Sequence, residues 1–205
     1  MNAKYHTQKT WFKDESELKS HVISKLLEIP GMGMEQAEIT AGKLLAKDLS
    51  NYLFSVSKKD SSIFDFCGKI QSTAERFKSE GLTISDYLKA AVKQPSLFYQ
   101  SPETVAGHIN MLIDMRDRGL FDLRGANLMH RICSDPSHTI TIANENLQAR
   151  DIACQIGKNA GHRVRPFSVV FVENRPSAEG RIISALGKDS MAVQLYREFG
   201  IIKSR

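Results

Sequence analysis

The sequence predicts a mainly α-helical protein of stacked antiparallel helical hairpins, with about seven to nine helices and at most one or two short strands near residues 167–172. Three observations carry that expectation. Apolar residues recur at helical spacing over most of the first 160 positions. Gly and Pro punctuate the stripes at the places where helices stop. The layout Gly-Leu, short helical pattern, Pro, loop, long helical pattern occurs at 81–119 and again, more loosely, after Gly119.

The elements follow in order. Residues 1–14 read as a flexible polar lead-in with no apolar core behind its basic residues, hence no secretory signal. Leu18, Val22, Leu26 and Ile29 form the first stripe, ended by Pro30-Gly31. A second pattern runs from about Met34 to Ser57, with Ala37, Ala41, Leu44, Leu45, Leu49 and Leu53 on one side. A third starts near Ser61–Ser62 and lines up Ile63, Phe66, Cys67, Ile70, Ala74 and Phe77 before Gly81 stops it. Thr83 or Ser85 can cap a short helix with Tyr87, Leu88, Ala91 and Val92 inside. Pro95 ends it by pushing residue 94 out of the α region. Ser101-Pro102-Glu103 combines a capping hydroxyl, a proline suited to the first helical position and an acid for the dipole. It opens a longer helix with Val105, Ile109, Leu112 and Arg116 on one face and Gly119 as its stop.

The second copy of the layout has Leu123, Leu128, Met129, Ile132 and Cys133, a break at Asp135-Pro136, then Leu147, Ala149, Ile152, Ala153 and Ile156. Beyond Gly161 the pattern changes. Phe167–Val172 is β-branched and aromatic and reads as one short strand, followed by two short helices near 177–186 and 190–199. The domain reading is a lead-in (1–14), a helical hairpin domain (15–161) and a basic C-terminal segment (162–205), packed on that domain or a lobe of its own.

The stretch 81-GLTISDYLKAAVKQPSLFYQSPETVAGHINML-112 resembles repeats of the mitochondrial transcription termination factor family. The residues that carry the likeness are Gly81, Leu82, Pro95, Leu97, Phe98, Ser101 and Glu103. It is also similar, more distantly, to the hairpin repeats of TAL effectors. The likeness covers about forty residues well and a similar stretch loosely. It implies hairpins wound into a superhelix around nucleic acid, with basic residues on the concave side.

Charge points the same way. The chain of 205 residues has a formal net charge of +5. From Lys158 to Arg205 nine basic residues face four acidic ones, so the whole excess lies in the C-terminal quarter. Such asymmetry fits a polyanionic partner. Arg163, Arg165, Arg175, Arg181 and Lys188 are the expected nucleic-acid contacts, with Lys89, Lys93 and Arg116 as additions. The other reading is a protein interaction module (adaptor, inhibitor or delivered effector) that uses the helical groove or the lone strand. Tyr99 is its candidate contact, while Leu97 and Phe98 are expected to fill the gap between helices.

No motif fixes a reaction, so the chain reads as leaning away from an enzyme. There is no Gly-rich phosphate loop after a strand and no nucleophile elbow. Arg175 beside a helix N-terminus could hold a phosphate, but a Pro-containing connector capped by Ser177 accounts for the same residues. His130, Cys133 and His138, with Cys154 and His162 further on, include zinc-type ligands in no standard spacing, so neither metal nor cofactor is expected. Three cysteines make no disulfide framework, which fits reduced thiols and a cytoplasmic setting. No apolar run approaches the length of a membrane span.

Overall fold

The first helix, α1, covers Glu15–Leu27. Its start is chemically defined: the Asp14 side chain accepts the Glu17 N–H at 2.9 Å, and Glu15 and Glu17 sit where the helix dipole favours acids. Leu18, Val22 and Leu26 are its buried row. Pro30 and Gly31, the latter at φ +90, turn the chain, and Ile29 and Met32 are buried in that turn. Helix α2 covers Met34–Leu45 and packs along α1. Its buried row is Ala37, Thr40, Ala41, Leu44 and Leu45.

The structure, a computed structural model, describes residues 12–46, 61–120, 123 and 125–141, and beyond these 147, 151, 154, 155, 158, 159, 193, 194 and 197. The expected helix over 34–57 is shorter at its start-to-end span than its stripe implies. Ala46 turns to ψ 124, an extended conformation, and α2 ends at Leu45. Neither Gly nor Pro marks that break. Leu49 and Leu53 lie outside the described residues.

Ser61–Phe64 form a 3-10 turn, and α3 follows over Phe66–Arg76. Asp65 accepts the Gly68 N–H at 2.9 Å at its start. Ile63, Phe66, Ile70, Ala74 and Phe77 are buried, as the stripe predicts. Cys67 is only half-buried, one position off that row, so it is not the core residue expected. Burial, then Asp65 and Glu28, push its thiol pKa up. Helix α4 is Ile84–Lys93. Thr83 caps it, accepting the Asp86 N–H at 3.0 Å and donating its hydroxyl to the Asp86 carboxylate at 2.7 Å. Tyr87, Leu88, Ala90 and Ala91 are buried, and Val92 is half-buried. Lys78–Glu80 form a second 3-10 turn; Gln94 leaves the α region before Pro95, and Pro95–Phe98 form a third.

Helix α5 spans Pro102–Asp117 and buries Val105, Ala106, His108, Ile109, Leu112 and Met115. Helix α6, Leu128–Ser134, starts on the Asn127 side chain, which accepts the His130 N–H at 3.1 Å. Asp135 then extends before Pro136, and Pro136–His138 form another 3-10 turn. Thus Pro95 and Pro136 end their helices in the same local way.

Among the described residues there are six bounded α-helices and no strand, so this part of the protein is mainly helical, with six bounded helices where seven to nine are expected of the whole chain. Leu147, Asp151, Cys154, Gln155, Lys158 and Asn159 are helical as well, and Leu147 and Cys154 are buried. The expected strand at 167–172 and the boundary near 161 fall outside the described residues.

Contacts gather the chain into two units. The first holds Met1–Glu75 and Thr83–Pro102, and the second Arg76–Leu82 and Glu103–Arg205. In the first unit α2 also meets the 3-10 turn at 95–98, which packs on α4. A chain of rings runs through its core, from Phe66 against Phe98 at 5.7 Å to Phe64 against Phe66 at 6.1 Å. Phe12, within the expected lead-in, joins it: its ring lies 5.8 Å from Phe64 and 5.1 Å from His21. In the second unit His108 meets the Ile140 carbonyl through Nδ1 at 2.6 Å, which fixes the end of the 136–141 turn. Thr139, fully buried, donates to Ile132 and Asp135 carbonyls.

Candidate functional site

The five expected phosphate contacts, Arg163, Arg165, Arg175, Arg181 and Lys188, lie outside the described residues. The three additions are placed. Lys89 and Lys93 are exposed on one side of α4, one turn apart, and Lys89 Nζ lies 3.9 Å from Asp86 Oδ1. Arg116 is half-buried with its guanidinium on two carboxylates, Glu80 at 2.7 Å and Asp117 at 2.8 Å. Those partners, Glu80 first, push its pKa upward. A phosphate there would have to displace a carboxylate.

Leu97 and Phe98 are buried, and the turn that carries them packs on α4 and α2. Tyr99 is half-buried, its N–H donating to the Ser96 carbonyl at 3.3 Å. Of the zinc-type residues, His130 is exposed while Cys133 and Cys154 are buried. The His138 side chain and His162 lie outside the described residues. Among the described residues no three His, Cys, Asp or Glu come together as metal ligands. No helix among them is long and apolar enough to cross a membrane.

The most elaborated polar construction is in the second unit, around the two Gly-Leu pairs. At each pair the glycine takes a left-handed conformation, φ +88 at Gly81 and φ +63 at Gly119. At each, two hydrogen bonds close the chain. Gly81 N–H reaches Lys78 O and Leu82 N–H reaches Phe77 O; Gly119 N–H reaches Arg116 O and Leu120 N–H reaches Met115 O. This is the Schellman arrangement, with the following leucine buried in both cases.

A further feature is shared. The carbonyl just before each glycine accepts a hydrogen bond from a side chain far along the chain. Glu80 O receives Asn127 Nδ2 at 3.4 Å, and Arg118 O receives Lys158 Nζ. Arg116 ties Glu80 to α5, while Arg118 holds Asp114 at 2.8 Å and Asp151 at 2.7 Å. Asp151 first, then Asp114, raises the Arg118 pKa against the opposing effect of burial. The sequence offered Gly and Leu as stops but no sign of Asn127 or Lys158 as their partners.

The first unit differs in character. Among its described residues the exposed large apolar side chains are Leu27, Met34, Ile39 and Ile84, at the end of α1, on α2 and at the start of α4. No protein-family model matches the chain, nor does any curated protein or solved structure.

Proposed function

We propose that the protein is a non-enzymatic helical binder of nucleic acid that neutralises phosphates through its C-terminal quarter. The observation that carries the reading is charge: the full +5 belongs to residues 158–205. Arg163, Arg165, Arg175, Arg181 and Lys188 supply the contacts, and Lys89 and Lys93 are further exposed cations on the first unit. Arg116 and Arg118 contribute to the scaffold instead, since carboxylates already hold them. The recurring Gly-Leu stops support reading the chain as hairpin repeats of the kind found in the mitochondrial transcription termination factor family.

Fluorescence anisotropy with labelled single- and double-stranded DNA and RNA tests this at low and physiological salt. The expected result is binding that weakens as salt rises and is lost when Arg163, Arg165, Arg175 and Arg181 become Ala. Absence of binding at low salt refutes it.

A second reading, a protein interaction module, draws on the four exposed large apolar side chains among the described residues of the first unit. Protein partners would be met there, on a surface separate in sequence from the basic quarter.

A further inference from the structure

We propose that the outward face of α2 docks a basic amphipathic helix of a partner protein. The inference stands on described residues of the first unit and does not depend on nucleic-acid binding.

The face is defined by register. Met34, Glu38 and Gly42 follow one another at i, i+4 and i+8, and Glu35 and Ile39 run beside them at i and i+4. All five are exposed, and the row that meets the core, Ala37, Thr40, Ala41 and Leu44, lies on the other side, with the buried Leu45 closing the C-terminal end of the face in the angular sector of Met34 and Glu38. Met34 keeps 56% of its surface in water and Ile39 52%, the largest values among the exposed large apolar residues. Two apolar side chains and two carboxylates therefore alternate on one helical face.

Charge selects the partner. From Leu26 to Gly42 the chain carries Glu28, Glu35 and Glu38 and neither Lys nor Arg. Glu28 is held by Lys25 at 2.7 Å. No cation among the described residues pairs with Glu35 or Glu38. Lys43, in the last turn of α2, stands at the edge of the face next to Ile39. An apolar face with acidic flanks is complementary to an apolar partner face with basic flanks.

Geometry selects a helix. An α-helix has no open backbone edge to extend, so side chains and shape must carry recognition. The rows at i and i+4 match the anchor spacing of a partner helix. Gly42 lies inside α2, where glycine weakens the helix, yet a Cβ at that position would meet nothing within 4 Å. A Cβ at Gly33, the N-cap, would also meet nothing. The backbone is thus bare at both ends of the face, and a second helix can approach it closely.

The test uses the full chain and three labelled helical peptides of about eighteen residues: Leu with Lys, Leu with Glu, and Ala with Lys. Anisotropy at physiological salt should show the Leu/Lys peptide binding about ten-fold more tightly than either control. Met34→Ser with Ile39→Ser, and separately Glu35→Gln with Glu38→Gln, should each weaken it by about five-fold or more, with the circular dichroism unchanged. Gly42→Ala should also weaken it. Equal binding of the Leu/Glu or the Ala/Lys peptide overturns the proposal, as does binding that ignores the variants. Light scattering that shows a dimer dissolved by Ile39→Ser overturns it too, because the occupant is then a second copy. Labelled DNA or RNA binding should be untouched by all these variants, so the nucleic-acid reading and this one fail separately.

Discussion

Gly81 and Gly119 occupy the same backbone conformation, and their surroundings rank the cost of replacing them. A left-handed residue with a Cβ is disfavoured by about 1–2 kcal/mol. Gly119→Ala should cost about that much, since its Cβ would come 3.6 Å from Lys158 Nζ, an ordinary contact. Gly81→Ala should cost more, because its Cβ would lie 2.9 Å from Asn127 Nδ2 and would push that amide off the Glu80 carbonyl. Urea denaturation of both variants checks the order, and a larger loss at Gly119 contradicts it. Thr40 predicts the opposite sign. Its side chain is fully buried in α2, and its hydroxyl has no hydrogen-bond partner. Thr40→Val keeps the shape and removes a stranded polar atom, so it should stabilise the fold by about 1 kcal/mol in the same assay. His21 adds a pH dependence. Burial, then Lys25, lower its pKa below the ordinary 6.5, against Glu28. A lowered histidine pKa means that the unfolded chain binds the proton more tightly. Stability from this group is therefore present above pH 6.5 and is lost as pH falls below that value. His21 packs against Phe12 at 5.1 Å and Phe64 at 4.9 Å, so acid should loosen residue 12 from α1. Phe12→Trp fluorescence followed from pH 8 to 5 reports it, and a signal that is flat in the wild-type background and in His21→Phe alike contradicts it.

At the level of elements, much of the fold was legible because helices announce their ends in side-chain chemistry. The stripe Leu18, Val22, Leu26 and Ile29 is buried throughout, and Thr83, Pro95 and Gly119 act where their chemistry places them. What period alone does not see is a break without a breaker. The apolar spacing runs on past Leu45 to Leu49 and Leu53, yet Ala46 is extended. Period also misplaces neighbours: Cys67 adjoins the buried Phe66 but stands one step off the inner row. His108 and Met115 were missed as core because a polar imidazole hides its burial until its partner, the Ile140 carbonyl, is known. The candidate contacts were less legible than the helices. Charge shows where cations are in the sequence, not which of them carboxylates already hold, and Arg116 is such a case. Two exposed glycines inside helices give a prediction at this scale. Neither Gly42 in α2 nor Gly107 in α5 has an atom within 4 Å of its Cβ position. Gly→Ala at either should stabilise the free protein by about 0.5–1 kcal/mol, measured by thermal or urea unfolding. A loss at Gly42 would mean that the helix face is covered in the isolated chain.

For the whole molecule, the decisive property is that net charge is not shared along the chain. Residues 1–157 sum to zero, while 158–205 carry all five excess charges. Within the first part, acids and bases meet: Lys25 with Glu28, Arg116 with Glu80, Arg118 with Asp114 and Asp151. Internal pairing of this kind leaves little field for a distant polyanion. On the proposed reading the basic quarter sets the long-range attraction to nucleic acid, and that reading forecasts its magnitude. Each phosphate neutralised on duplex DNA contributes about 0.9 to the slope of log affinity against log salt. Contacts from Arg163, Arg165, Arg175, Arg181 and Lys188 then give a slope of about −4 to −5. Replacing one of the five by Ala should make the slope shallower by about one, whichever is chosen, because phosphate neutralisation is indifferent to sequence. Arg116→Gln should leave the slope unchanged and lower stability instead, since its charge faces Glu80 and Asp117. A slope near zero, or one that depends on Arg116 and not on the C-terminal cations, would move the binding surface away from residues 158–205.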